Sequence, residues 1–356
     1  MRVLHMIPDI GVSNGVMSVI LSYAKAMPDG IKFDVVYFSE QEKTRQADIE
    51  ALGGRVYKID PPSPKDLLTG KMNSFFSEHK NEWQALHIHC PHFALFIAPY
   101  AKKAGIKRIY VHCHTTTYSL KGNGTRNRLL SLYAKYFIKS KLACSNDSGK
   151  LWYGNKNFTV LNNAVNYDEL RFNNDVRKQV RQEMKLDDSF IVGHIGKTSI
   201  KQKNHPFLFR IFAEVKKQKE NARLLLIGAE KTEKLTALSK ELGIENDVIY
   251  LGARKDIPSL LQAIDVFLFP STSEGLPVSV VEAQAAGLGV VMSDVITDEV
   301  VLTKSVAKMS LDASPEKWAS YVIQSAESRT DNFDIISKTN WNIITSAKQL
   351  AELYYN

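Results

Sequence analysis

The sequence predicts an α/β protein with two doubly wound domains. At 356 residues, the chain is longer than a single hydrophobic core usually supports, so two domains are expected. Short apolar runs alternate with amphipathic stretches along the chain, a pattern typical of parallel sheets covered by helices on both faces. The alternation occurs in two series, and the stretch between them is charged and lacks a strand pattern. The two series therefore indicate two Rossmann-like domains.

We assign the first series to residues 1–170 and the second to residues 171–339. The strand candidates of the first series are RVLHMI, FDVVYFS, RVYKI, ALHIHC, RIYVHCH, KLACS and FTVLNN. Those of the second series are FIVGHIGK, ARLLLIG, DVIYLG, DVFLFP and GVVMS. The strand pattern lapses over residues 163–189, which places the boundary near residue 170. The C-terminal segment, residues 340–356, has helical spacing, and we expect it to pack back on the first domain.

The first turn of the chain lies in IGVSNGVMSVI and joins a strand to a helix. It contains Gly11 and Gly15 but lacks the glycine spacing of a dinucleotide-binding fingerprint. A dehydrogenase is therefore disfavoured.

The N-terminal residues, the apolar runs and the cysteines together predict a cytoplasmic protein. The N-terminal residues enter a strand pattern directly, without the features of a signal peptide. No apolar run approaches the roughly 18 residues needed to span a bilayer. Three cysteines, Cys90, Cys113 and Cys144, are too few and too scattered for a disulfide framework, so we expect them reduced and buried.

The formal net charge of +8 indicates an anionic partner, and the excess is concentrated in the first domain. No acidic residue occurs between Glu82 and Asp147. Ten basic residues lie in that interval: Lys102, Lys103, Lys107, Arg108, Lys121, Arg126, Arg128, Lys135, Lys139 and Lys141. The interval shows no recognised nucleic-acid module, so we predict no nucleic-acid partner.

Histidines cluster at the ends of two strand candidates of the first domain. They are His87, His89, His92, His112 and His114, with Cys90 and Cys113 nearby. His-x-His in a strand places both rings on one face, so a metal site is geometrically possible. The spacing does not resemble a zinc motif, and the interval supplies no carboxylate. We predict that the protein binds no metal and no organic cofactor.

Two glutamates flank a strand-to-helix turn in STSEGLPVSVVEAQAAGLGVV, residues 271–291. The loop follows a parallel strand, and open α/β sheets bind ligands at that edge. Gly275, Leu276, Pro277 and Val278 start the helix, and the free N–H groups of this stretch would form a phosphate site. Pro277 fits the first turn of the helix, where its missing N–H costs nothing. Glu274 in the loop and Glu282 on the helix suit paired hydroxyls of a sugar and a ribose.

This segment resembles the Glu-x7-Glu signature of retaining nucleotide-sugar glycosyltransferases of the GT-B fold, family 4. The segment GHIGKTSIKQKNHPFLF is also similar to the family, with Lys197 in the usual arginine position and Lys203 matching the family lysine. The resemblance covers nearly the whole chain and is strongest over residues 190–295. It is closest to bacterial enzymes that build exopolysaccharide or capsule repeat units.

The resemblance implies the role of each candidate residue. Glu274 lies beside the transferred sugar, Glu282 binds the donor ribose, and Lys197 and Lys203 hold the diphosphate. His114, in VHCHTTTY, contacts the donor sugar from the first domain, so the candidate catalytic residues are Glu274, His114 and Lys203. Asn14 and Gly15 lie near the donor phosphate and the acceptor, where the family commonly has Gly-Gly, and the backbone near Arg254 lies by the nucleobase.

The resemblance also implies the chemistry. We expect a metal-independent, retaining transfer in a cleft between the two domains, from a UDP-sugar more than from a GDP-sugar. The alternatives are a UDP-sugar epimerase on the same fold and a non-catalytic protein that binds a sugar nucleotide.

The acceptor is predicted to be a saccharide on a lipid carrier at the cytoplasmic face of the membrane. Residues 99–141 combine the basic residues with aromatic ones, and TRNRLLSLYAKYFIKSK has helical spacing. Such a helix can bury its apolar stripe in the domain, or it can rest on an anionic membrane surface.

Overall fold

The computed structural model describes residues 1–64, 70–119, 123–327 and 329–355. The chain forms two units, one of Met1–Ala164 with Asn340–Asn356 and one of Val165–Thr339. The division lies a few residues before the expected position near residue 170. The reason is that residues 165–170 bond to the second unit: Tyr167 donates to Asp331 Oδ1 at 2.9 Å, and Gln262 donates to the carbonyl of Leu170 at 3.0 Å.

Unit 1 is a parallel sheet with helices on it. Its strands among the described residues are β1 Arg2–Ile7, β2 Lys32–Tyr37, β3 Val56–Lys58, β4 Ala85–Ile88, β5 Arg108–Cys113, β6 Ser140–Ala143 and β7 Thr159–Val160. They lie in the order β3-β2-β1-β4-β5-β6-β7. The central strands are buried because apolar residues cover both faces, as in a doubly wound sheet.

The helices of unit 1 connect successive strands. They are α1 Gly15–Ala26, α2 Gln46–Ala51, α3 Lys71–Glu78, α4 Ala94–Lys103, α5 Gly124–Phe137 and α6 Asn146–Tyr153. The C-terminal helix, Ile343–Tyr355, also belongs to this unit, and it packs on α1. Its Tyr354 is completely buried and makes a 2.6 Å hydrogen bond with His87 Nδ1. Asn356, the last residue of the predicted segment, lies outside the described residues.

Unit 2 begins with α7 Tyr167–Leu170 and α8 Asn174–Glu183 and contains a second parallel sheet. Its described strands are β8 Phe190–Ile195, β9 Ala222–Ile227, β10 Val248–Gly252, β11 Val266–Phe269, β12 Gly289–Ser293 and β13 Val306–Met309. Their order is β10-β9-β8-β11-β12-β13. The helices of unit 2 after β8 are α9 His205–Gln218, α10 Glu233–Glu241, α11 Ile257–Ala263, α12 Val278–Ala285, α13 Pro315–Ser325 and α14 Phe333–Ile336. The C-terminal helix of unit 1, Ile343–Tyr355, is numbered α15.

The strand order of unit 2 places two predicted loops next to each other. β8 and β11 are hydrogen-bonded neighbours that run parallel, so the loops after them leave the same edge of the sheet. The loop after β8 carries Lys197 and Lys203, and the loop after β11 carries Glu274. Because strand order reverses direction at this pair, the edge is the usual ligand-binding position of an open α/β sheet.

Candidate functional site

Lys203 and Glu274 form an ion pair in unit 2. Lys203 Nζ lies 2.9 Å from Glu274 Oε1, and the two side chains are only 15% and 17% exposed. The ammonium also lies 4.6 Å from the centre of the Phe269 ring at the end of β11. Low exposure reduces screening by water, so this pair is stronger than a surface pair.

The position of Lys203 depends on Gly196, the residue after β8. A Cβ atom at Gly196 would lie 2.8 Å from Lys203 Cδ and 2.9 Å from its Cγ. The aliphatic part of Lys203 therefore lies directly on the Gly196 backbone, and any larger residue would displace it. This close approach explains why a glycine follows β8.

Backbone and amide hydrogen bonds join the two loops independently of the ion pair. Thr272 N–H donates to the carbonyl of Gln202 at 2.8 Å, and Asn204 Nδ2 donates to the carbonyl of Pro270 at 3.1 Å. Asn204 has φ 53°, a left-handed conformation that asparagine tolerates better than most residues. The loops are thus fixed to each other before any ligand binds.

The start of α12 presents free backbone donors. Among the described residues, the N–H groups of Gly275, Leu276 and Val278 donate no hydrogen bond. The sequence predicted Pro277 in the first turn of the helix, whereas in the structure Pro277 is the N-cap residue that precedes it. The Pro277 carbonyl accepts from Val280 N–H at 3.1 Å. The unpaired donors and the positive end of the helix suit an anionic group.

Glu282 lies on the second turn of α12. Desolvation of its carboxyl raises the pKa to about 7, because the charged form loses hydration that the protein does not replace. An ionisable side chain with a strongly shifted pKa is typical of functional sites.

Lys197 and Arg254 differ from Lys203 in their surroundings. Lys197 follows Gly196, and within the described residues its ammonium makes no hydrogen bond or ion pair. Arg254 follows the edge strand β10, two strands from β8, and its guanidinium pairs with Asp256 through a 2.7 Å hydrogen bond. The structure thus places Lys197 by the Lys203 loop, and it brings Arg254 to the same edge of the sheet but not into contact with the ion pair.

In unit 1, Asn14 and Gly15 begin α1. Asn14 Oδ1 accepts from Val16 N–H at 3.0 Å and from Met17 N–H at 3.1 Å, so the side chain caps the helix. Gly15 is exposed, and a Cβ atom there would meet nothing within 4 Å. Folding does not require glycine at this position, and the space beside it is open.

His114 follows β5, and the protein occupies both of its ring nitrogens. His114 Nε2 lies 2.9 Å from His89 Nδ1, and His114 Nδ1 lies 3.0 Å from Asn163 Oδ1. Desolvation lowers the pKa of His114 to about 4, with the Asn163 hydrogen bond opposing the shift. The imidazole is therefore neutral at pH 7.

Five histidines of unit 1 form one group, His5, His87, His89, His112 and His114, and His5 was not among the residues predicted from the sequence. His5 Nδ1 lies 2.9 Å from His89 Nε2, and His87 Nε2 lies 3.3 Å from His112 Nδ1. The register pairs His5 with His87 across β1 and β4. Only long-range strand pairing brings His5 to this group, so no local pattern in the sequence could reveal it.

Among the described residues, two sets of imidazole nitrogens come within 4.8 Å of one another: His5, His87 and His89, and His89, His112 and His114. Imidazole suits transition metals. In both sets, however, the histidines already share protons in hydrogen bonds with one another or with Tyr354. A bound divalent ion would have to replace these bonds, so the geometry fits neutral paired histidines better than a metal centre.

Comparison with known proteins agrees with the fold. Residues 189–328 match the protein-family model described as "Glycosyl transferases group 1". The chain is 27% identical over 351 residues to the putative glycosyltransferase EpsF of Bacillus subtilis, which covers 95% of this chain and 91% of that protein.

A shorter match involves a Campylobacter jejuni enzyme named N,N'-diacetylbacillosaminyl-diphospho-undecaprenol alpha-1,3-N-acetylgalactosaminyltransferase. It is 46% identical over 76 residues, 21% of this chain and 20% of that one. Among solved structures, Anabaena HepE in complex with UDP superposes with a TM-score of 0.80 at 20% identity, over 99% of both chains.

The two parallel sheets give the chain the GT-B fold. Its second unit carries a glycosyl transferases group 1 domain. The predicted fold class is confirmed, as is the resemblance to bacterial polysaccharide glycosyltransferases.

Proposed function

We propose that the protein is a retaining, metal-independent glycosyltransferase of family 4 that moves a hexose or N-acetylhexosamine from a UDP-sugar to a lipid-linked saccharide during surface polysaccharide synthesis. The ion pair between Lys203 and Glu274 carries the proposal, because it joins a cation and a carboxylate at the ligand-binding edge of unit 2. The named relatives support the substrate classes: one acts on a diphospho-undecaprenol saccharide, and HepE binds UDP.

Each residue of unit 2 has a role in this proposal. Lys203 and the free N–H groups of Gly275, Leu276 and Val278 neutralise the diphosphate, and Lys197 adds a second cation. Glu274 orients the transferred sugar, and the ion pair fixes its carboxylate. Glu282 accepts hydrogen bonds from the ribose, and the backbone near Arg254 contacts the uracil.

The protein accelerates transfer by positioning and by electrostatic stabilisation. Negative charge grows on the departing diphosphate as the glycosidic bond breaks, and fixed donors stabilise that charge more than the ground state. The departing phosphate oxygen takes the proton of the acceptor hydroxyl while the new bond forms on the same face of the sugar. The anomeric configuration is therefore retained without a covalent enzyme intermediate.

Incubation with individual UDP-sugars is expected to release UDP slowly without an acceptor, because a positioned donor also reacts with water. The rate should be unchanged by EDTA, since Lys197 and Lys203 supply the positive charge. The measurement is UDP formation together with the anomeric configuration of the product. Interconversion of two UDP-sugars would indicate the epimerase, absence of any turnover would indicate a binding protein, and activity restored only by Mg²⁺ or Mn²⁺ would refute metal independence.

The sequence left open whether the apolar face of α5 is buried in the domain. In the structure, large apolar side chains of this helix are exposed. Leu129, Leu132, Tyr136 and Phe137 are 62%, 42%, 57% and 66% exposed, while Asn127, Ser131 and Ala134 face the unit. Arg126, Arg128 and Lys139 are also exposed, and Lys121 of the predicted basic set lies outside the described residues. Within the described part of the chain, no helix is long and apolar enough to cross a membrane. We propose that α5 rests on the anionic surface that holds the acceptor.

The purified protein is expected to sediment with anionic phosphatidylglycerol vesicles and to detach as salt rises. Each basic side chain near such a surface contributes about 1 kcal/mol, so replacing Arg126, Arg128, Lys135 and Lys139 by glutamine should weaken binding by at least tenfold. The matched control replaces four exposed lysines of unit 2, Lys178, Lys231, Lys234 and Lys240. Equal sedimentation with neutral and anionic vesicles, or equal loss in both variants, would contradict the membrane role of α5.

A further inference from the structure

His114 has no ring nitrogen left for a ligand. One nitrogen is hydrogen-bonded to His89 and the other to Asn163. A neutral imidazole has one donor and one acceptor, so both capacities are used inside unit 1. A polar contact to a substrate at this position therefore requires another group.

The side chain of Asn163 offers that group. Asn163 follows β7, is only 5% exposed, and uses its Oδ1 atom to accept from His114. Among the described residues, Asn163 Nδ2 donates no hydrogen bond. The Nδ2 atom keeps access to solvent, so a ligand oxygen can take the place of water at this donor.

The orientation of the Asn163 amide follows from the proton positions in a series of hydrogen bonds that joins the side chains of His5, His89, His114 and Asn163. If Oδ1 faces His114, every histidine in the series carries its proton on Nδ1, and His5 Nε2 is left as a buried acceptor. If Nδ2 faced His114, every tautomer would reverse, and His5 Nε2 would become a buried donor. His5 is 1% exposed, and its Nε2 atom has no partner among the described residues.

Buried donors without a partner are rarer in proteins than buried acceptors without one, so the first arrangement is favoured. It points Asn163 Nδ2 away from His114. A second series of hydrogen-bonded side chains packs against the first. The rings of His87 and His89 stack with their centroids 4.4 Å apart and an angle of 11° between their planes. His87 in turn bonds to Tyr354 and to His112.

We propose that Asn163 contacts the saccharide substrate in unit 1 by donating Nδ2–H to a hydroxyl or ring oxygen, and that His114, His89 and His5 are positioning residues that fix the amide. The identity of the ligand rests on the proposed function, whereas the proton arrangement does not. The predicted role of His114 is thereby changed from direct contact with the donor sugar to orientation of Asn163.

Asn163→Asp is the sharpest variant because it keeps the shape and the Oδ1 acceptor but replaces the free donor with an acceptor. Transfer should fall by 10–100-fold, mainly through KM for the substrate whose oxygen is bound, so donor and acceptor are titrated separately. Asn155→Asp makes the same chemical change at an exposed position of unit 1 and should leave transfer unaltered. Equal kinetics for Asn163→Asp and wild type would overturn the contact.

A double-mutant cycle with His114→Ala tests the positioning role. If His114 acts only through Asn163, then removing His114 from the Asn163→Asp protein should cost less than threefold, although it lowers wild-type transfer at least tenfold. Losses that multiply in the double variant would assign His114 an independent contact and overturn the positioning role.

Nitrogen-15 spectra of histidine-labelled wild-type protein give a readout that needs neither substrate nor activity. His114, assigned by its loss in the His114→Ala variant, should be neutral at pH 7 with its proton on Nδ1. A proton on Nε2, or a cationic ring, would overturn the proton arrangement even if transfer is never observed. If no UDP-sugar turns over but the Nδ1 tautomer is found, the proposed function fails and the orientation of Asn163 stands.

Discussion

Replacing Lys203 by methionine is expected to lower kcat by about 10²–10³-fold, the range found when one fixed donor to a developing charge is removed. Methionine keeps an unbranched stem against Gly196 and Phe269, so the loop should retain its shape. The variant removes only the ammonium that pairs with Glu274 and faces the proposed diphosphate. Rates are measured at saturating and at low UDP-sugar, because a contact made mainly in the transition state lowers kcat more than it raises KM.

Lys201→Met is the matched control for this experiment. Lys201 lies in the same 3₁₀ turn, Lys201–Lys203, but is exposed and has no ion pair among the described residues. Its replacement should change kcat by less than twofold. Similar kinetics for the two variants, with melting temperatures unchanged, would refute the assignment of the donor site to this loop. In the same assay, Glu274→Ala should lower turnover more than donor affinity.

Glu282→Gln is expected to stabilise the empty protein at pH 8 by about 2–3 kcal/mol and to weaken UDP binding at least tenfold. The folded-state pKa of about 7 is above the usual value, so the folded protein holds this proton more tightly than the unfolded chain does. The wild type therefore loses stability as the pH rises from about 4.5 to about 7, and the loss persists above pH 7. Glutamine is neutral throughout and removes the loss.

Binding of the donor should follow the opposite trend. The ionised carboxylate accepts two hydrogen bonds from ribose hydroxyls, so UDP affinity of the wild type should rise through pH 7, and that of the glutamine variant should not. Chemical denaturation and calorimetry at pH 6 and pH 8 measure both effects. Glu241→Gln, at an exposed position of unit 2, should change neither. A glutamine variant that binds UDP like the wild type would exclude Glu282 as the ribose ligand.

The sequence predicted the fold well because the central strands of a parallel sheet are buried on both faces. Such strands read as apolar runs without reference to their partners, as FIVGHI and DVFLFP do. The boundary is harder to locate from the sequence, because the segment containing Tyr167 and Leu170 has the composition of a linker, and only the structure shows its hydrogen bonds to Asp331 and Gln262. Those bonds join residues far apart in the chain, and local composition carries no trace of them.

The candidate site divides in the same way. Glu274, Glu282 and Lys203 could be proposed because their segments follow apolar strand runs and resemble a family signature. Glycines in these segments mark places of close approach. Gly287 illustrates this, since its φ of 76° and a Cβ position 2.6 Å from the Thr330 carbonyl admit no other residue easily. Phe269, His5 and Asn163 could not be found. Each of these residues contacts its partner only because of the strand order or the strand register. Residues adjacent in the sequence carry no information about such contacts.

The position of helix α15 in the chain affects the order in which the two units fold during synthesis on the ribosome. Unit 2 is continuous in sequence, whereas unit 1 is completed by residues that are synthesised after unit 2. The buried Tyr354, with its bond to His87, is synthesised after the whole of unit 2. Because domains generally fold as units during synthesis, unit 2 can finish folding first while the earlier half of the chain waits with an uncovered surface around Phe33, His5 and Tyr110, the rings that meet Tyr354. The helix α15 thus determines when unit 1 becomes complete.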